Sequence, residues 1–152
     1  MSTREKSHQG GCFCGTVRIS VTGKPLAASA CHCRDCQQFS GAAFLPGATF
    51  RTNQVSFVAG EARIIDYGVG RHRTFCARCG SHLTFCRDDQ PEFVEVFTVC
   101  LDNPEAFHPE QHIWYRRHLS WVGLTDDLPR YATEPEDGAP PSNRDHHGEA
   151  QC

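Results

Sequence analysis

The chain has 152 residues and 10 cysteines, with 39% hydrophobic residues, 22% charged residues and a net charge of -3. That length fits one domain with a sizeable core, and no run approaches the roughly 18 apolar residues that cross a bilayer. Residues 134–152 hold five acids and one base, which leaves +1 on the other 133 residues, too little to mark a surface for nucleic acid.

Met1 to Gln9 reads as a short, mobile polar arm with no apolar leader segment. The expected compartment is therefore the cytoplasm, where thiols stay reduced. The folded domain is expected over 10–133. Thr16 to Thr22 alternates polar and apolar residues and meets Gly23, the pattern of a half-buried strand. Arg34 to Phe39 carries one helical turn. Val55 to Phe57, Ala62 to Tyr67, Thr74 to Cys76, His82 to Phe85 and Phe93 to Val99 are further strands, punctuated by glycines at 60, 68, 70 and 80. A second helical turn follows Asn103-Pro104. Short strands between turn signals predict a mainly β domain of antiparallel strands with few helical turns. From Glu134 the only aliphatic residues are Ala139 and Ala150, so 134–152 reads as a disordered acidic tail, with His146, His147 and Cys152 solvated inside it.

Cysteine is the outlier, and disulfides and metal binding compete to explain it. The missing leader and the spacing both favour metal. Three clusters stand out: Cys12-Phe13-Cys14-Gly15, Cys31-His32-Cys33-Arg34-Asp35-Cys36 and Phe75-Cys76-Ala77-Arg78-Cys79-Gly80. Thiolates suit zinc, which takes four ligands in a tetrahedral structural site. The first and third clusters share a glycine after their second cysteine, and glycine can take the positive φ that curls a chain around a metal and aims N–H groups at sulfur. Cys12 and Cys14 are therefore paired with Cys76 and Cys79 as one structural zinc site.

The middle cluster offers Cys31, Cys33 and Cys36 and has no partner pair. Three protein ligands and an open position would make a reactive zinc site. A fourth ligand from Cys86, Cys100, His32, His82 or Asp35 would make it structural instead. Spacing leaves both readings open. Cys86 and Cys100 lie in apolar contexts where burial alone accounts for them.

In these residues the chain resembles the glutathione-dependent formaldehyde-activating enzymes, a family that shares its domain with centromere protein V. The resemblance runs from Gly10 to Tyr131. It rests on the three cysteine motifs in order, on Pro109-Glu110-Gln111-His112-Ile113-Trp114, and on Trp121 and Leu128-Pro129-Arg130-Tyr131. It implies a zinc-binding β-tent fold and two Zn²⁺ per chain. One would be structural, on Cys12, Cys14, Cys76 and Cys79; the other catalytic, on Cys31, Cys33 and Cys36. It further implies a carbon–sulfur lyase that joins glutathione and formaldehyde as S-hydroxymethylglutathione.

Three thiolates on Zn²⁺ leave a site charge of -1, which suits a fourth sulfur better than the activation of water. An incoming glutathione thiol is expected to replace water at this zinc and to be aimed at the formaldehyde carbon. Two alternatives remain at this point. One is a zinc-stabilised binding module without catalysis, and the other is the same chemistry on another thiol or aldehyde. Glutathione's two carboxylates call for cationic partners, yet Arg34, Arg71, Arg73, Arg87, Arg116 and Arg117 each read as surface residues. His32 is expected to point away from the metal, and Trp114 and Trp121 are expected to pack.

Overall fold

The computed structural model describes residues 6–135. Ten strands form two sheets: β1 (Ser7–Gly11), β2 (Arg18–Thr22), β3 (Ala27–Cys31), β4 (Leu45–Arg51), β5 (Val55–Ala59), β6 (Arg63–Asp66), β7 (Arg71–Phe75), β8 (His82–Arg87), β9 (Phe93–Phe97) and β10 (Gln111–Ile113). The smaller sheet has the order β1-β2-β5 and the larger β10-β3-β4-β9-β8-β7-β6. Every named pairing is antiparallel except β10 with β3. One α-helix, α1 (Arg34–Ser40), and four single 3₁₀ turns complete the described residues. The domain is mainly β, as its patterning predicts. No helix among the described residues is long and apolar enough to cross a membrane.

Strand period two decides which residues meet. On β2, Ile19 and Val21 face inward at 0% exposure while Arg18, Ser20 and Thr22 face out. They pack on one face of the large sheet, against Ala28, Ala48, Phe50 and Val96, with Leu101 and Phe107 closing the cluster. The residues that alternate with these lie on the opposite face. There Cys31, Leu45, Phe85 and Phe97 gather with Cys33, Cys36, Ile113 and Trp114. The large sheet thus has an apolar core on one side and the middle cysteine cluster on the other. A third cluster joins Cys12, Val17, Cys76 and Leu83 at the first and third cysteine motifs.

Several expectations are corrected. The arm ends earlier than Gln9, because Ser7 to Gln9 belong to β1 and pair with Ser20 to Thr22; Met1 to Glu5 lie outside the described residues. Of the acidic tail, only Glu134 and Pro135 are described; residues 136–152, with His146, His147 and Cys152, lie outside. Strands β3, β4 and β10 carry no pattern that announces them. β3 is Ala-Ala-Ser-Ala-Cys, and β4 holds Pro46 and Gly47. Gly47 is there because a side chain would collide with its cross-sheet neighbour: a Cβ would lie 2.1 Å from Glu95 Oε1. Trp114 packs beside the middle cysteines, but Trp121 is 76% exposed.

Candidate metal centres

The first and third cysteine motifs fold into the same turn. Cys12 N–H bonds to Val17 O at 3.0 Å and Gly15 N–H to Cys12 O at 3.0 Å. Likewise Cys76 N–H bonds to Ser81 O at 2.9 Å and Gly80 N–H to Cys76 O at 2.8 Å. Gly15 and Gly80 have φ of 76° and 78°, the left-handed conformation the sequence calls for. The two turns face each other, and Phe13 N–H reaches Ser81 Oγ at 3.0 Å.

The four sulfurs of Cys12, Cys14, Cys76 and Cys79 lie within 4.8 Å of one another. Cys12 and Cys14 are 3.5 Å apart at sulfur, and Cys14 and Cys76 3.8 Å. A tetrahedron with Zn–S bonds of about 2.3 Å has edges of about 3.8 Å, so the donor set fits zinc. The surroundings favour thiolate at Cys14 and Cys79. Val17 N–H donates to Cys12 Sγ at 3.2 Å. The Ser81 hydroxyl and N–H and the Cys14 N–H bring Cys79 down to about 5. The Thr16 hydroxyl and N–H lower Cys14.

The middle cluster is built at the end of β3. Cys31 closes the strand, and Cys33 caps α1, its sulfur accepting Cys36 N–H at 3.3 Å. That cap places Cys36 one turn on, facing back. The three sulfurs lie within 4.8 Å of one another, and their residues are 0–1% exposed. Among the described residues no other histidine, cysteine or carboxylate donor joins the group. Cys86 instead donates to His72 O at 3.9 Å. Cys100 packs in the core, where burial pushes its thiol up to about 12. His82 lies edge-on to Phe39.

His32 turns away, as expected, and joins a relay that runs from the buried His32 and His112 to the exposed Asp126. His32 Nε2 is 2.9 Å from His112 Nδ1, and His112 Nε2 is 3.1 Å from Asp126 Oδ1. The carboxylate can only accept, so His112 donates to it through Nε2, and the two imidazoles share one further hydrogen bond between His112 Nδ1 and His32 Nε2. Burial, reinforced by the neighbouring His112, brings His32 down to about 4, so the ring stays neutral. The relay fastens β10 and the segment around Asp126 behind the cysteines.

Arg73 and Arg87, expected at the surface, are both buried. Arg73 is 0% exposed, because its position on β7 puts it on the same face as Phe85 and Glu95. Its Nη2 lies 3.6 Å from Cys36 Sγ and its Nε 3.4 Å from the Tyr67 hydroxyl. Phe39, Phe85 and Phe97 surround the guanidinium carbon at 4.4, 5.2 and 5.4 Å. Burial opposes the thiolate of Cys36, but hydrogen bonds from Cys31 and Cys33 and the Arg73 charge bring it well below its ordinary value. Arg87 is also buried, against Asp89.

Glu95, on the same face, is buried, and its Oε2 has no hydrogen-bond partner. Burial, and then the negative charge of Cys36, raise its carboxyl from 4.5 to about 8. The folded chain therefore holds one proton more than the unfolded chain between those values, and stability falls as pH rises from 4.5 to about 8. Glu95→Gln is expected to flatten that slope and to gain stability above pH 8, on the order of a few kcal/mol. Urea melts across the range check this; an unchanged slope would mean that Glu95 is ionised throughout.

A cleft of about 580 Å³ opens beside the first cluster, and the cysteines of the second do not line it. Cys12 and Cys79 line it from the first, Leu45 and Phe97 reach it from the packing around the second, and Phe39 reaches it from beside Arg73; Arg18 and Asp102 also face it. Its volume is in the range of small-molecule sites.

Fold and site together define a small β domain with two clusters of cysteines that could each hold a metal ion. A family model described as glutathione-dependent formaldehyde-activating enzyme matches residues 7–117. The chain belongs to that family. A solved structure of a protein from Rhodobacter sphaeroides is similar, with 27% identity and a TM-score of 0.54, covering 64% of this chain and 93% of that one. A search of the curated proteins gives no match.

Proposed function

We propose that this protein catalyses carbon–sulfur bond formation between a thiol and formaldehyde, with glutathione as the thiol. One observation carries the reading. Cys31, Cys33 and Cys36 converge without a fourth donor among the described residues, so a metal held there keeps a ligand position for substrate. A non-catalytic module would be expected to fill that position from the protein. Cys12, Cys14, Cys76 and Cys79 hold the structural zinc, and Cys31, Cys33 and Cys36 the catalytic one.

In the reaction the thiol S–H adds across the formaldehyde carbonyl. The S–C bond forms, the C=O π bond breaks, and the proton passes from sulfur to oxygen, with no change of redox state overall. A zinc ion on the three cysteines would supply Lewis acidity that favours thiolate over thiol. The chain supplies the rest. Cys31, Cys33 and Cys36 would hold the metal, Leu45 and Phe97 pack against them and shield them from water, and the adjoining cleft would position the partners. Thiols add to formaldehyde unaided, so positioning provides most of the gain.

A second reading, the same chemistry on a thiol without carboxylates, is favoured by the charge of the cleft. Arg18 is its only lysine or arginine among the described residues, and Asp102 already occupies both ends of its guanidinium fork. Glutathione's two carboxylates therefore meet little free positive charge there. Two-dimensional exchange NMR of formaldehyde with glutathione, cysteamine and 2-mercaptoethanol, with and without zinc-loaded protein, tests both. Acceleration with glutathione supports the first reading. Acceleration with the smaller thiols alone supports the second. Acceleration with none of them would end both.

A further inference from the structure

We propose that Arg73 is a positioning residue, the counter-charge that enables the Cys31/Cys33/Cys36 cluster to take a fourth, anionic sulfur ligand. This rests on the reading of that cluster as the thiol-binding metal site. An arginine with no exposure needs an anion to offset its desolvation. Among the described residues no carboxylate hydrogen-bonds to Arg73, and Glu95 on the same face is held protonated by its burial up to about 8. Its hydrogen-bond acceptors are the Cys36 sulfur and the Tyr67 hydroxyl, and its Nη1 is buried without any. The guanidinium is held by three aromatic rings rather than by an ion pair, so its charge is directed at the sulfur cluster.

The charges make the consequence concrete. Three thiolates and a divalent metal carry -1, and Arg73 brings the pocket to neutral. A fourth thiolate then enters a neutral pocket and leaves it at -1, instead of raising a dry site from -1 to -2. The first cluster is built differently. Its four sulfurs are complete, and they are met by backbone N–H groups and by the hydroxyls of Thr16 and Ser81, with no cationic side chain hydrogen-bonded to them among the described residues. The position of Arg73 thus separates a cluster that must accept a further anion from one that must not.

The test uses the full chain with cobalt(II) in both clusters, titrated with 2-mercaptoethanol and read by the ligand-field and sulfur-to-cobalt charge-transfer bands. The saturated four-sulfur cluster gives a constant background that also reports correct folding. In the unsubstituted protein the bands of the second cobalt shift as a fourth sulfur binds. Arg73→Met is expected to weaken thiol binding by about tenfold or more, the range typical of groups that support metal ligands. Arg73→Lys, which keeps the charge, is expected to recover most of it. Arg73→Gln, which keeps a donor but no charge, is expected to behave like Met. If Arg73→Met does not fold, the Lys and Gln pair decides, and equal thiol affinities in that pair would overturn the proposal. So would an Arg73→Met protein that binds thiol as tightly as its parent. If the parent protein itself shows no response to thiol, the thiol-site reading falls first and the role of Arg73 falls with it.

Discussion

Cys33→Ser is expected to return formaldehyde–thiol exchange to its spontaneous rate and to lower bound zinc from two ions per chain to one. The substitution separates ligation from folding. Cys33 is both a sulfur of the middle cluster and the N-cap of α1, where its side chain accepts Cys36 N–H. Serine is among the best N-cap residues, so the helix start is preserved while the thiolate is lost. With two sulfurs remaining, the site no longer holds zinc in competition with solvent. Supporting groups around a metal are worth about 10- to 100-fold, and a direct ligand should exceed that. The fold should survive, because Cys12, Cys14, Cys76 and Cys79 are untouched. Metal analysis beside exchange NMR checks both halves. Full activity with one zinc would show that the middle cluster is not the seat of the reaction.

The same change at the other cluster should act in the opposite way. Cys12→Ser or Cys76→Ser is expected to unfold the domain rather than to silence it. These residues lie 64 positions apart in sequence, and their sulfurs join the start of the domain to the β7–β8 turn. Structural zinc contributes folding energy of roughly 10 kcal/mol or more, comparable with the whole stability of a domain this size, about 5–15 kcal/mol. Serine cannot replace the thiolate, and Cys12 and Cys76 are the buried pair of the four, packed with Val17 and Leu83. Loss of both zinc ions, a collapsed far-UV melt and aggregation are expected, and a strong chelator should reproduce them in the unsubstituted chain. A Cys76→Ser protein that melts normally with one zinc bound would show that this cluster is dispensable for folding.

The sequence by itself determined the features that depend on near neighbours. Alternation marked β2, because a strand half in water and half in a core must repeat every two residues, and it marked the start of β5; runs between turn signals marked β6, β7, β8 and β9. The cysteine spacings marked three clusters. Gly15 and Gly80 marked the two matching turns, because φ near 76–78° strains any residue with a side chain. The order of those motifs was enough to carry the resemblance to the family to which the chain belongs.

Tertiary structure alone decided the rest. β3 and β4 went unread because Ala27 to Ala30, Pro46 and Gly47 have little preference for strand, and they are strands only because neighbours on both sides pair with them. Trp121 lies exposed where a large aromatic was expected to pack. The absence of a fourth donor at Cys31, Cys33 and Cys36 among the described residues, and the His32–His112–Asp126 relay behind them, depend on residues up to 94 positions apart. Arg73 looked like any surface arginine until the register of β7 against β8 set it on the face that carries Cys36. Spacing along a chain fixes which ligands can share one turn, but the register between distant strands fixes which charges share one buried pocket.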